Sequence, residues 1–328
     1  MNDWSEKSKQ KLKLCVDEII YLIEERKSSI NNRQLINICK EFVDTFAAEV
    51  DPHIYHEIAE TTLNLLIKNK YARDLLQSAE PDICVKEVLK PLTERLPTQS
   101  WRSNEQIIRQ QFSTPPQIAY FISYLLNFKV NETVLEPSAG TGNLAVWANA
   151  LGLQTHTNEI DARRKELIGF LGFKPTSFNA EFINDFLPDE IKPDVLLMNP
   201  PFSSNGGRTT NNSSKFGFRH VESAIERLKR GGKFGIILGN SAGLDVRTGG
   251  EFWRKMSGKI TIKAVIKIAG AEYAKNGTRV DINLIIGRKK LVETPNHSNF
   301  DSEKIICISA KTVESGFIAA KQSNIRLD

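Results

Sequence analysis

Val195-Leu196-Leu197-Met198-Asn199-Pro200-Pro201-Phe202 reads as a buried strand that stops abruptly. Four apolar residues suit the middle of a parallel sheet. The two prolines then end it, because neither can donate a ladder hydrogen bond. Asn199 is thereby expected at the carboxyl end of a strand, where open α/β sheets place their ligands. Beside it Phe202 offers a flat apolar face, and an amide next to an aromatic ring suits the holding of an extruded nucleobase. A plain strand-terminating turn is the other reading of the same residues.

Working upstream, Thr133-Val134-Leu135-Glu136 reads as a second buried strand, followed by the small-residue turn Pro137-Ser138-Ala139-Gly140-Thr141-Gly142-Asn143. Gly140 and Gly142 permit close approach of backbone to a ligand. After a strand over Gln154–Thr157 comes Glu159, about twenty residues beyond the glycines. That is the spacing at which an acid accepts hydrogen bonds from ribose hydroxyls. The turn lacks both the full dinucleotide fingerprint and a P-loop lysine, which points to a nucleoside cofactor without a pyrophosphate. S-adenosylmethionine fits, its sulfonium drawn to a carboxylate such as Glu136. Further upstream, Gln111-Phe112-Ser113-Thr114-Pro115-Pro116 predicts a helix start, with Ser113 or Thr114 as hydroxyl cap and proline in the first turn. Such a helix end is a candidate anion site.

Composition sets the bounds. The 328 residues are 40% hydrophobic and 25% charged, ordinary for a protein with a real core. No apolar run approaches membrane-spanning length, and the Met1-Asn2-Asp3-Trp4 start does not resemble a signal peptide. Cys15, Cys39, Cys84 and Cys307 lack disulfide or metal spacing, so reduced cytoplasmic thiols and no metal are expected. The net charge of +5 is unevenly distributed: residues 204–290 hold roughly 18 Lys/Arg against about 6 Asp/Glu. That concentration suits a nucleic-acid-facing surface, or a solvated basic face. Residues 1–105 carry helical periodicity and cap signals, predicting a small all-α domain with no chemistry that the sequence names.

The ordered set Phe112-Ser113-Thr114-Pro115-Pro116, Glu136-Pro137-Ser138-Ala139-Gly140-Thr141-Gly142, Asn158-Glu159 and Asn199-Pro200-Pro201-Phe202 closely resembles the gamma-class N6-adenine DNA methyltransferases. The strongest likeness is to the methyltransferase domain preceding bacterial strawberry-notch-type helicases, over about residues 108–290. The resemblance implies an α/β, Rossmann-like, seven-stranded methyltransferase sheet over residues 106–292; the all-α domain over 1–105 and an extension over 293–328 lie outside it and rest on the residue pattern alone. It implies S-adenosylmethionine as cofactor, contacted by Phe112, Ser113, Thr114, Glu136, Ala139, Gly140, Glu159 and Asn199. In one place the chain departs from the family: Asn179 stands where an Asp usually contacts the cofactor's adenine amino group, and a neutral amide is a weaker partner there.

The resemblance also assigns catalysis to Asn199, Pro200, Pro201 and Phe202. The side-chain oxygen of Asn199 and the carbonyl of Pro200 would accept the two N–H bonds of an adenine amine, and Phe202 would stack on the base. Ser203–Phe218 is a Gly/Asn/Ser-rich loop whose Arg208 and Lys215 are candidate DNA-backbone contacts, and the Lys275–Arg279 loop is a candidate phosphate contact. Only about 38 residues follow Lys290, so base-specific readout is expected from a partner protein, from the N-terminal helices, or not at all. Methylation of RNA or protein, or a non-catalytic DNA-binding or partner-binding module, are the rival readings.

Overall fold

A computed structural model describes residues 4–45, 51–99, 113–201, 215–294 and 302–328. Its centre is a seven-stranded sheet of order β2-β1-β3-β4-β6-β5-β7. The strands are β1 Thr133–Glu136, β2 Gln154–Thr157, β3 Val195–Met198, β4 Lys233–Gly239, β5 Ile260–Ile268, β6 Ile282–Lys289 and β7 Ile306–Ala310. Strands β2, β1, β3 and β4 run parallel, β6 is antiparallel between β4 and β5, and β7 pairs parallel with β5. β3 and β4 are buried along their whole length, the unbroken apolar pattern of a sheet covered on both faces. Just past β2, Asn158 forms an isolated parallel bridge with Thr176, outside the named strands.

The two sheet faces are covered differently. Helices Lys215–Arg227 and Arg247–Met256 cover one face, centred on the fully buried Trp253. The other face is covered by helix Pro116–Leu126 and, in one continuous core, by the amino-terminal helices. Helix Pro116–Leu126 is buried on almost every side, as its apolar sequence predicts. It is clamped from the amino-terminal segment, where Tyr120 Oη donates to the Leu75 carbonyl at 2.7 Å. The last segment is built into the same body: β7 extends the sheet, and Phe317 of helix Val313–Gln322 packs on Phe121 with ring centroids 4.2 Å apart. Among the described residues no helix is long and apolar enough to cross a membrane.

Candidate functional site

β1 and β3 are neighbours whose outgoing connections run to opposite sides, β1 to β2 and β3 to β4. This is the switch point at which such sheets hold ligands. Register pairs Val134 with Val195 and Leu135 with Leu196. Glu136 therefore ends β1 beside the strand whose continuation is Asn199. The spacing of the two motifs in sequence is 63 residues; strand pairing makes them neighbours.

The glycine turn follows β1. Gly140 and Gly142 have φ of +54° and +91°, a left-handed backbone that disfavours any side chain with a Cβ. A Cβ on Gly140 would meet nothing within 4 Å, so open space lies above the turn. Glu159 fastens this turn from β2: its Oε2 accepts from Gly140 N at 2.7 Å and its Oε1 from Asp161 N at 2.8 Å. Each oxygen keeps further acceptor capacity for a ligand hydroxyl. The Asn158 side-chain amide donates through Nδ2 to the carbonyls of Pro137 and Phe178, and its Oδ1 accepts from Thr176 Oγ1 and Phe178 N. Ala139 N in turn donates to the Asn158 carbonyl at 2.9 Å. Ile160, next to Glu159, is 52% exposed, an apolar surface beside the acid that sequence reading passed over.

Glu136 is buried, and its Oε2 has no hydrogen-bond partner among the described residues. Burial pushes its carboxyl well above the usual carboxylate range; the Ala145 N–H works against this, while the nearby Glu159 adds to it. Burial likewise raises Glu159, opposed chiefly by Arg164. Arg164 partly offsets the charge of Glu159, but among the described residues no cation offsets that of Glu136, so its buried carboxyl is unfavourable in charged form in the empty protein. An orphaned carboxylate oxygen next to an open glycine turn fits a ligand that brings positive charge.

On the β3 side, Asn199 Nδ2 donates to Thr114 Oγ1 at 2.8 Å. The expected cap on helix Pro116–Leu126 is thereby corrected. The helix has no side-chain cap, because its N-cap position falls on Pro115, which carries no side-chain acceptor; the two hydroxyls before it bond elsewhere. Thr114 receives the Asn199 amide, and Ser113 Oγ donates to Glu60 Oε2 at 2.7 Å. Pro115 and Pro116 also lack N–H groups, which thins the donor supply of an anion site at this helix end. Asn179 is exposed, and its Oδ1 accepts from Glu181 N at 3.1 Å as the cap of the short helix Ala180–Phe182. Lys215 opens helix Lys215–Arg227. Phe112, Phe202 and Arg208 lie outside the described residues.

Sequence reading missed the contribution of helix Ile54–Leu66. Asn64 Nδ2 donates to the Thr141 carbonyl at 2.9 Å and to Asn143 Oδ1, and Asn143 Nδ2 donates to the Thr114 carbonyl at 2.8 Å. The glycine turn, the Ser113–Thr114 segment and this helix thus form one bonded unit. No local signal announces it, since Glu60 and Asn64 sit in an ordinary amphipathic pattern. His53 and His56 are both buried on or beside this helix, and among the described residues no cluster of metal-ligating side chains occurs. Lys275 is also corrected: its ammonium donates to the Glu94 and Leu96 carbonyls at 3.2 and 2.9 Å, tying the sheet to the amino-terminal segment.

No protein-family model and no curated protein matches this chain. Among solved structures it is similar to a Listeria monocytogenes protein assigned as a class I S-adenosylmethionine-dependent methyltransferase. Identity is 16%, with 98% of this chain and 99% of that one covered and a TM-score of 0.54. It is also similar to a Vibrio vulnificus protein assigned as the modification subunit of a type I restriction enzyme, at 12% identity, 100% and 92% coverage and a TM-score of 0.50. The chain therefore has the α/β, Rossmann-like methyltransferase fold.

Proposed function

We propose that this chain binds S-adenosylmethionine and transfers its methyl group to the N6 amine of an adenine in DNA. The observation that carries the reading is the juxtaposition of Asn199, its amide held by Thr114, with the open glycine turn between Glu136 and Glu159. Bound S-adenosylmethionine would supply an electrophilic methyl group. Glu159 would accept the ribose hydroxyls, Ile160 would lie against the adenine ring, and Glu136 would face the positive end of the cofactor.

The amine of adenine is a poor nucleophile because its lone pair is delocalised into the ring. Two acceptors on its N–H groups favour a more pyramidal nitrogen and fix it in line for transfer. Asn199 Oδ1 and the Pro200 carbonyl are the acceptors assigned here. The bond from Asn199 Nδ2 to Thr114 orients that amide and couples the acceptor side to the cofactor side. Phe202 is the candidate stacking face. A partner chain providing target recognition accords with the similarity to a modification subunit.

Expression in a methylation-deficient bacterial host, followed by single-molecule sequencing of its DNA, tests the proposal. N6-methyladenine is expected with the wild-type chain and at least a thousandfold less with Asn199→Ala, about 4 kcal/mol of lost transition-state stabilisation. Unmodified DNA, together with transfer of labelled methyl to RNA or protein, would move the acceptor away from DNA.

A further inference from the structure

Helix Ile54–Leu66 carries two carboxylates one turn apart in unlike surroundings. Glu57 is fully buried and meets two guanidiniums: Arg163 Nε lies 2.5 Å from Oε2, and Arg164 Nε 2.8 Å from Oε1. Glu60 has only neutral donors among the described residues. Gln99 Nε2 donates to Oε1, Ser113 Oγ to Oε2 at 2.7 Å, and Thr141 Oγ1 to Oε2 at 3.1 Å. Three donors leave the carboxylate with acceptor capacity, and the one cation acting on it among the described residues, Arg164, does so through space with Glu57 opposing. Beside it is a cavity of ≈ 40 Å³, also lined by Thr114, Asn143 and Lys275. The Lys275 ammonium is engaged by the two carbonyls of Glu94 and Leu96. A space of that size admits one small polar group, such as a water or an ammonium.

We propose that Glu60, from a helix outside the catalytic sheet, binds the α-ammonium of the cofactor's amino-acid end, making helix Ile54–Leu66 a wall of the cofactor site. This inference rests on the cofactor reading above. Ser113 and Thr141, which Glu60 bridges, belong to the two segments assigned to cofactor contact, so the carboxylate stands where both converge. An ammonium brings donors and a directly bonded positive charge together, and charge-assisted hydrogen bonds are the strong ones. Burial raises the Glu60 carboxyl while the Ser113 hydroxyl opposes it; an arriving cation removes that cost. Asn64, one turn further, fixes the Thr141 carbonyl and so keeps the wall in place.

Titration calorimetry on the full chain tests this with three ligands: S-adenosylmethionine, S-adenosylhomocysteine and 5′-methylthioadenosine, which lacks the amino-acid end. Glu60→Gln should weaken the two amino-acid-bearing ligands by about 10- to 100-fold, the size of a lost charged hydrogen bond. Methylthioadenosine should bind the variant as it binds wild type, and Glu60→Asp, which keeps the charge, should restore part of the loss. Equal weakening of all three ligands would reduce Glu60 to a structural brace and overturn the proposal, as would unchanged affinity for all three. If wild type bound none of them, the cofactor reading itself would fall, a result distinct from either.

Discussion

The amino-terminal helices and the basic stretch from 204 to 290 exchange the importance that their sequences suggest. The first is slightly acidic and carries no motif, yet Glu60 and Asn64 from it bond directly to the glycine turn and to Ser113 ahead of helix Pro116–Leu126. The second holds the charge excess expected of a nucleic-acid surface, but many of those cations are engaged within the fold. Lys233 is 1% exposed and pairs with Glu132 at 2.7 Å. Lys289 donates to the Ile225 and Glu226 carbonyls, Arg227 to the Leu187 and Pro188 carbonyls, and Lys229 pairs with Asp194. Charge counted along a chain reports composition. Which solvent or partner it faces is fixed by packing.

The strongest way to break this contrast is Glu57→Ala. It would leave Arg164 buried without its carboxylate, which should cost about 3–5 kcal/mol of stability. Denaturant unfolding should show that loss, and a loss below about 1 kcal/mol would mean that the amino-terminal helices are only loosely joined to the site.

Acid titration of the melting temperature gives the next largest effect, and two windows are expected. Burial lowers His53, and it lowers both His56 and His220 to about 4. Between pH 6.5 and 4 the unfolded chain therefore binds histidine protons that the folded one refuses, so the histidine share of stability should fall as pH drops through that range. That fall should outweigh the opposite effect of the Glu136, Glu159 and Glu60 carboxyls, which burial raises. For Glu57 the carboxyl sits at about 2, its burial outweighed by Arg164 and Arg163. Its contribution is fully present above its ordinary value of 4.5 and should be lost as pH falls toward 2. A melting temperature flat from pH 7 to 4 would contradict the first window.

A pair of substitutions in the basic stretch sharpens the contrast at smaller scale. Lys233→Met should lower stability by about 1–3 kcal/mol and leave the salt dependence of DNA binding unchanged. Arg279→Ala, at an exposed position, should leave stability within about 0.5 kcal/mol. It should reduce the slope of log affinity against log salt by about 1 if Arg279 touches phosphate. The reverse assignment would show that the basic excess works as its sequence position suggests.

Much of the fold was legible because its signals are local. Val195–Met198 followed by two prolines announces a strand end, and the positive φ of Gly140 and Gly142 follows the small-residue turn in which they stand. The cap on helix Pro116–Leu126 was misread for a physical reason: a hydroxyl before a proline looks the same whether it bonds its own helix or a distant side chain. Thr114 chose Asn199, and Ser113 chose Glu60.

By itself, then, the sequence determined the strand and turn chemistry, the placement of Asn199 at a strand end and the spaced acid Glu159. These depend on dihedral preferences and on burial periods of a few residues. Tertiary structure alone decided which charges pair, which hydroxyls are diverted from capping, and that helix Ile54–Leu66 stands against the glycine turn. Those outcomes depend on contacts between residues 53 and 107 positions apart in the chain, such as Ser113 with Glu60 and Arg164 with Glu57. No local pattern encodes contacts at that range; burial of the shared core selects them.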